Sequence, residues 1–205
     1  MTDTAKIPAQ PLSRPSARSI ANREKIFQAA MDLFRDQVFD AVTMQDIANQ
    51  AGMSRASVFN HFHNKIALLG EFFGRFTVEA VEMAHASSAT GFRGRLVSLF
   101  GPFGTIAHRN KPIVAQIASL AMGHGPLAKL ESKLDNDLVR YFLNVIADAK
   151  RTGEIRDDLD DTFLAHMLLG LLTVTAHDWV NSGQKTRLDE DLIARFDVLI
   201  TGVGI

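Results

Sequence analysis

The sequence contains no cysteine. That excludes disulfide staples and thiolate metal sites, and it fits a reducing cytoplasm. No apolar run reaches membrane-spanning length. The most apolar one, Phe163 to Ala176, is interrupted by His166 and falls short of the ~20 residues a span needs. The first residues carry Asp3 and Lys6 without an apolar stretch, so no secretory signal is expected. Strand-like alternation, internal repeats and low-complexity blocks are missing, which leaves an all-α chain as the expectation. Also missing are a nucleophile elbow, a phosphate-binding glycine loop, a dinucleotide fingerprint and a zinc-protease helix. The chain is therefore expected to be no enzyme and to need no cofactor.

A surplus of positive charge is lacking too. The net charge is −1, low for a protein that meets nucleic acid. The charge is unevenly spread, however. Residues 1–65 hold eight basic and six acidic side chains, net +2, and residues 66–205 hold fourteen and seventeen, net −3. The sign at the N-terminal end suits a polyanion.

What is present centres on residues 43–65, TMQDIANQAGMSRASVFNHFHNK. Thr43 with Asp46 three residues on forms a capping box that opens a short helix. Ile47, Ala48 and Ala51 supply its inner face, and Gly52 can take the left-handed conformation of a sharp exit. Ser54 caps a second helix in which Val58 and Phe62 point inward at i, i+4. Arg55, Ala56, Ser57, Phe59, Asn60 and His61 then face outward, a mixture suited to base edges and phosphates. Two capped helices around a glycine turn make a helix-turn-helix, whose second helix lies in a DNA major groove.

The flanks extend this unit. Residues 1–16 hold Pro8, Pro11 and Pro15 and read as a disordered tail. Residues 17–37 show a helical stripe of Phe27, Met31, Phe34 and Val38. From Lys65 to about Ser88 another stripe runs through Leu69, Phe72, Phe76, Ala80 and Met83. The stretch REKIFQAAMDLFRDQVFDAVTMQDIANQAGMSRASVFNHFHNKIALL resembles the N-terminal DNA-binding domain of the tetracycline-repressor (TetR/AcrR) family. The resemblance rests on Thr43, Ile47-Ala48, Ala51-Gly52, Ser54, His61-Phe62, Lys65 and Ala67-Leu68, over roughly 50 residues. It departs from the family at Val38, where glycine is usual, and at Phe59, where tyrosine is common. A β-branched residue enters the left-handed region only at ~1–2 kcal/mol, so the first helix is expected to end in another way.

The resemblance implies three segments: the tail (1–16), a three-helix helix-turn-helix domain (17–65), and a helical ligand-binding and dimerisation domain (66–205). It implies a homodimer that binds a palindromic double-stranded DNA operator and a small-molecule effector, with no membrane. DNA contacts are expected from Thr43, Ser54, Arg55, Ala56, Ser57, Phe59, Asn60, His61 and Lys65. Base reading falls to Arg55, Ser57 and Asn60, and backbone positioning to Thr43, Phe59, His61 and Lys65. The alternative is a helical small-molecule-binding protein with no DNA role.

Further helices are expected at about 92–109, from Pro112 to about Met122, at 127–150, 161–181 and 188–200. Gly101, Pro102 and Gly104 should kink or break the first of these. Phe76, Phe103, Met122, His124, Phe142, His166 and Met167 are candidates to surround a mostly apolar effector cavity. The 161–181 helix is apolar nearly all round and should be buried on more than one side. It and the last helix supply the candidate dimer residues Leu164, Leu168, Gly170, Leu171, Trp179, Leu192, Phe196 and Leu199. Asp157, Asp158, Asp160 and Asp161 are read as helix caps, because the glycine and closing glutamate of a calcium loop are missing. The seven histidines show no ligand spacing, so no metal site is expected.

Overall fold

The computed structural model describes residues 16–121, 136–183 and 185–201. The expected tail and the candidates Met122 and His124 lie outside the described residues. Those described form nine α-helices and no strand. We number them α1 (Ala17–Asp36), α2 (Met44–Ala51), α3 (Arg55–His61), α4 (Lys65–His85), α5 (Gly91–Arg109), α6 (Lys111–Ala121), α7 (Asn136–Arg151), α8 (Asp161–Asn181) and α9 (Leu188–Thr201).

Helices α1 to α3 close around Ile26, Ala30, Phe34, Ile47, Ala48, Val58 and Phe62, all buried. α4 is the strut between this head and the helical body. At its first end it is tied to α1 through charge. The Arg23 guanidinium donates to Glu71 at 2.6 Å, and Arg75 bridges Glu71 at 3.0 Å and Glu24 at 2.7 Å. Arg75 also lies over the Phe27 ring, 3.9 Å from its centre. Further along, Phe76 meets Phe103 of α5 with ring centres 4.3 Å apart.

The body packs α5 against α4, α7 and α9, with α8 laid on α6, α7 and α9. Its centre is Leu99, Phe100, Phe142, Ile146, Trp179 and Phe196, all nearly inaccessible. Ion pairs tie its outer edges: Arg93 to Asp197 through two 2.7 Å bonds, Arg95 to Asp148, and Lys150 to Asp161.

Two expectations change and one holds. α5 runs unbroken through Gly101, Pro102 and Gly104. The absence of a Cβ at Gly104 has a packing reason, because one there would sit 2.6 Å from the Asp189 Cβ and 2.7 Å from its backbone nitrogen. α8 buries one stripe: Ala165, Leu168, Leu172, Thr175 and Trp179. Its other face is open in the single chain, with Phe163 56% exposed and Met167 and Val174 also exposed. As expected, α1 ends without a left-handed C-cap. Gln37 is extended at φ −133°, and Val38 stands 75% exposed.

Candidate DNA-reading head and effector body

The reading head is built by local rules. The Thr43 side chain accepts the Asp46 N–H, and the Asp46 carboxylate accepts the Thr43 N–H at 2.8 Å, so both halves of the capping box form. The Thr43 hydroxyl also donates to the Asp46 carboxylate at 2.7 Å, and this bond, followed by the one from the Thr43 N–H, holds the Asp46 carboxyl below its ordinary range. Gly52 takes φ 60°, ψ 40°, and Met53 N–H folds back to the Ala48 carbonyl at 2.9 Å. Ser54 Oγ accepts the Ser57 N–H at 3.1 Å and caps α3. At the far end of α3 the Arg23 guanidinium donates to the His61 carbonyl at 2.8 Å and lies over the Phe62 ring. The orientation of α3 is thus fixed from its buried side, by Val58, Phe62 and Arg23.

The outward side carries the expected set. Thr43, Ser54, Arg55, Ala56 and Asn60 are exposed; Ser57, Phe59, His61 and Lys65 are half-buried. The Arg55 guanidinium rests 5.3 Å from the Phe59 ring centre, which holds it beside the helix without consuming its donors. Two candidates are partly occupied. Ser57 Oγ lies 3.0 Å from Ser54 Oγ. Lys65 Nζ donates to the Phe39 carbonyl at 2.5 Å and sits over the Phe39 ring, so Lys65 also fastens the α1–α2 connector to α4.

The body treats its candidates unevenly. Phe76, Phe103 and Phe142 are buried, and Phe76 and Phe103 are in contact. His166 and Met167 are exposed on the outer face of α8, so they do not line an interior cavity; a helix can turn only one stripe inward. The dimer set divides in the same way. Leu168, Trp179, Leu192 and Phe196 are core of their own chain, which corrects their assignment to a subunit interface. Gly170 and Leu199 are exposed, and Leu164 and Leu171 are half-buried.

Sequence reasoning missed the buried polar atoms of the body. His108 Nε2, Gln116 Oε1 and Asp189 Oδ1 are buried without hydrogen-bond partners. The His108 ring stands edge-on to Trp179 at 5.1 Å. Burial, and then the positive charges of Lys111 and Arg187, push the His108 pKa below its ordinary value. No periodicity marks such residues; only the packed structure shows them. Open space among the described residues includes a hollow of about 200 Å³ between α4 and α7, beside Val81, His85 and Tyr141, and one of about 230 Å³ beside Thr90, Arg95 and Glu154. Among the described residues no three His, Asp or Glu side chains converge as metal ligands.

Residues 26–72 match the family model described as bacterial regulatory proteins, tetR family. That span runs from α1 through the turn of Gly52 into α4 and contains every candidate DNA contact. Residues 26–72 are thus a tetR-family segment. The similarity continues past the head. The chain is 26% identical over 188 residues to the fatty acid metabolism regulator protein of Bacillus subtilis, covering 87% of this chain and 94% of that one. It is 22% identical over 200 residues to the HTH-type transcriptional repressor BepR of Brucella suis, covering 93% and 91%. Among solved structures, the fold is similar to Thermus thermophilus FadR, a TetR-family repressor in complex with lauroyl-CoA (TM-score 0.76, 22% identity, 89% and 95% covered). It is also similar to Bacillus subtilis FadR in complex with stearoyl-CoA (TM-score 0.74, 17% identity, 88% and 99% covered).

Proposed function

We propose that this tetR-family member is a cytoplasmic, homodimeric repressor that binds a palindromic operator and leaves it when an effector carrying an apolar chain enters the helical body. The observation that carries the DNA half is the arrangement of α3. Val58 and Phe62 are locked inward, while Arg55 and Asn60 project outward from a helix capped at both ends. Arg55 suits the two acceptors of guanine, and Asn60 suits adenine.

The dimer half is supported by the open face of α8. Phe163, Met167, Gly170 and Val174 recur every three to four residues and are exposed, and Val198, Leu199 and Ile200 of α9 are exposed as well. α8 is also apolar enough to cross a membrane by length and composition, at 21 residues with a mean hydropathy of 1.3. Its inner stripe is committed to a protein core and it ends in the buried Trp179, so the outer stripe reads as a self-complementary surface. Two reading heads are what a palindrome requires.

For the effector we infer a fatty acyl thioester of coenzyme A. This follows the complexes of the two structural neighbours and the function named for the Bacillus subtilis relative. The body supplies an apolar interior with a few unpaired buried polar atoms, a suitable lining for an acyl chain with a polar attachment. Repression then responds to ligand only because the ligand binds one spacing of the two heads better than the other.

The test is selection of bound duplexes from a random pool, followed by gel shifts at fixed salt with and without lauroyl-CoA. Recovery of a palindrome and its release by lauroyl-CoA is the expected result. Failure to shift any duplex at low salt favours a helical carrier without a DNA role. A shift that lauroyl-CoA leaves intact removes the acyl-CoA assignment alone.

A further inference from the structure

The ends of α1 and α2 face the same problem and meet it differently. A helix that stops leaves its last carbonyls without N–H partners. At α2, Gly52 turns left-handed, and the next N–H, from Met53, reaches back to Ala48, four residues before the glycine. At the end of α1 the residue in Gly52's place is Gln37; the glycine usual in the family would fall one residue later, at Val38, where its N–H could reach Phe34 O. Val38 is β-branched and enters the left-handed region only at a cost; the chain leaves α1 extended at Gln37. The Gln37 N–H closes the last ladder bond to Leu33 at 2.9 Å. Among the described residues no backbone N–H from beyond the helix reaches Phe34 O.

That carbonyl is served from the other domain. Gln116 Nε2, on α6 of the helical body, donates to Phe34 O at 2.8 Å and lies 3.5 Å from Gln37 O. Two carbonyls in front of the amide fix its orientation, with the NH₂ group toward α1. Its other end, Oε1, is buried without a partner. An amide with an unsatisfied buried oxygen is unfavourable unless the donor end returns the cost. The contact with α1 is what the donor end makes.

We propose that Gln116 is a positioning residue for DNA reading: from α6 it supplies the C-terminal cap that α1 cannot form for itself. The seating of the reading head thereby depends on where α6 lies in the body. α6 begins at the Asn110–Lys111 junction, immediately after α5, so rearrangement of the body's interior is felt at Phe34 without passing along α4. The capping part needs no DNA; the regulatory part rests on the operator-binding reading above.

The experiment uses the full chain and three variants: Gln116→Leu, which removes the donors at similar volume; Val38→Gly, which permits a local left-handed cap; and the two together. In the free protein, amide exchange at residues 35–39 of Gln116→Leu is expected to rise about five- to tenfold, the loss of one net hydrogen bond. In wild type, adding a selected operator duplex is expected to slow exchange in residues 111–121, because coupling between sites is reciprocal. In Gln116→Leu that slowing should vanish. In the double variant, protection at residues 35–39 and operator affinity should return, while α6 stays indifferent to DNA.

Unchanged exchange at residues 35–39 in Gln116→Leu overturns the cap. An α6 that still responds to DNA in Gln116→Leu, or regains its response in the double variant, overturns the coupling and leaves a purely local cap. If wild type binds no duplex, the regulator reading falls, and the exchange of the free protein still decides the cap.

Discussion

The head and the body are held together by different kinds of interaction. In the head, order is local. Thr43 answers Asp46, Ser54 answers Ser57, and Gly52 turns the chain over two residues. In the body, order is distant. Arg93 meets Asp197 across 104 residues, Tyr141 donates to the Arg95 carbonyl across 46, and Trp179 is enclosed by several helices while its Nε1 donates to Thr186. A head shaped mostly by caps close in sequence keeps its internal turns while its seating on the body shifts. That division of labour is what a DNA-reading switch needs.

The sharpest way to break this comparison is to hollow the body. Trp179 is 1% exposed, and Trp179→Ala should cost about 3–5 kcal/mol in chemical denaturation. A head that folds on local rules should keep its helical exchange protection longer than the body does. Simultaneous loss in both would show that the head depends on the body more than its caps suggest.

The next largest effect concerns reading without folding. Arg55→Ala or Asn60→Ala should weaken operator binding by about 1–3 kcal/mol and leave the unfolding midpoint in place. Gel shifts at fixed salt beside a thermal melt separate the two. A melt that moves as far as the affinity would mean these side chains hold α3 rather than read bases.

Smaller still are the local turns. Gly52→Ala forces a Cβ into φ 60° and should destabilise the head by about 1–2 kcal/mol. Thr43→Ala removes a cap and should cost about 1 kcal/mol. Both should lower operator affinity through the head's stability, measurable as parallel losses in melt and gel shift.

The smallest effect lies at the joint between the regions. Burial works to raise the Glu71 pKa, but hydrogen bonds from Arg23 and Arg75 prevail and lower it below its ordinary 4.5. A carboxylate with a depressed folded pKa stabilises the native state above its unfolded value. That stability is lost as pH falls from about 4.5 through the lower folded value. Glu71→Gln should therefore flatten the acid limb of a stability–pH titration and lower stability at neutral pH. An unchanged acid limb would remove the Arg23–Glu71–Arg75 network from the coupling of head to body.

The same contrast explains what the sequence disclosed. Caps and the glycine turn are visible because their partners lie within five residues, and the inward pair Val58 and Phe62 because their i, i+4 spacing marks one face. Among the described residues the helix limits of the body were also legible, since its stripes are periodic; the start expected near 127 lies outside them. Which stripe faces inward was not. α8 has apolar residues on both faces, and only packing selects Leu168 and Trp179 for the core and leaves Phe163 and Met167 outside. His166 was invisible as an outer residue for the same reason. The break expected in α5 failed because tertiary contact outweighed a local signal: Gly104 is the small residue that lets α9 approach, not a hinge. Val38 was legible as a departure. The partner that replaces the missing glycine, Gln116, lies 78 positions away and carries no mark in the sequence.

The recognition helix has seven residues, and of these Val58 alone is fully buried; its other inward anchor, Phe62, stands just beyond the end. The remaining outward positions contribute little to the fold. Such a helix behaves as a short, rewritable word on a fixed page. With Arg55, Ala56 and Asn60 at the operator as proposed, operator preference can drift by substitution there while stability stays nearly constant, so descendants of this chain can acquire new operators without first passing through an unfolded ancestor.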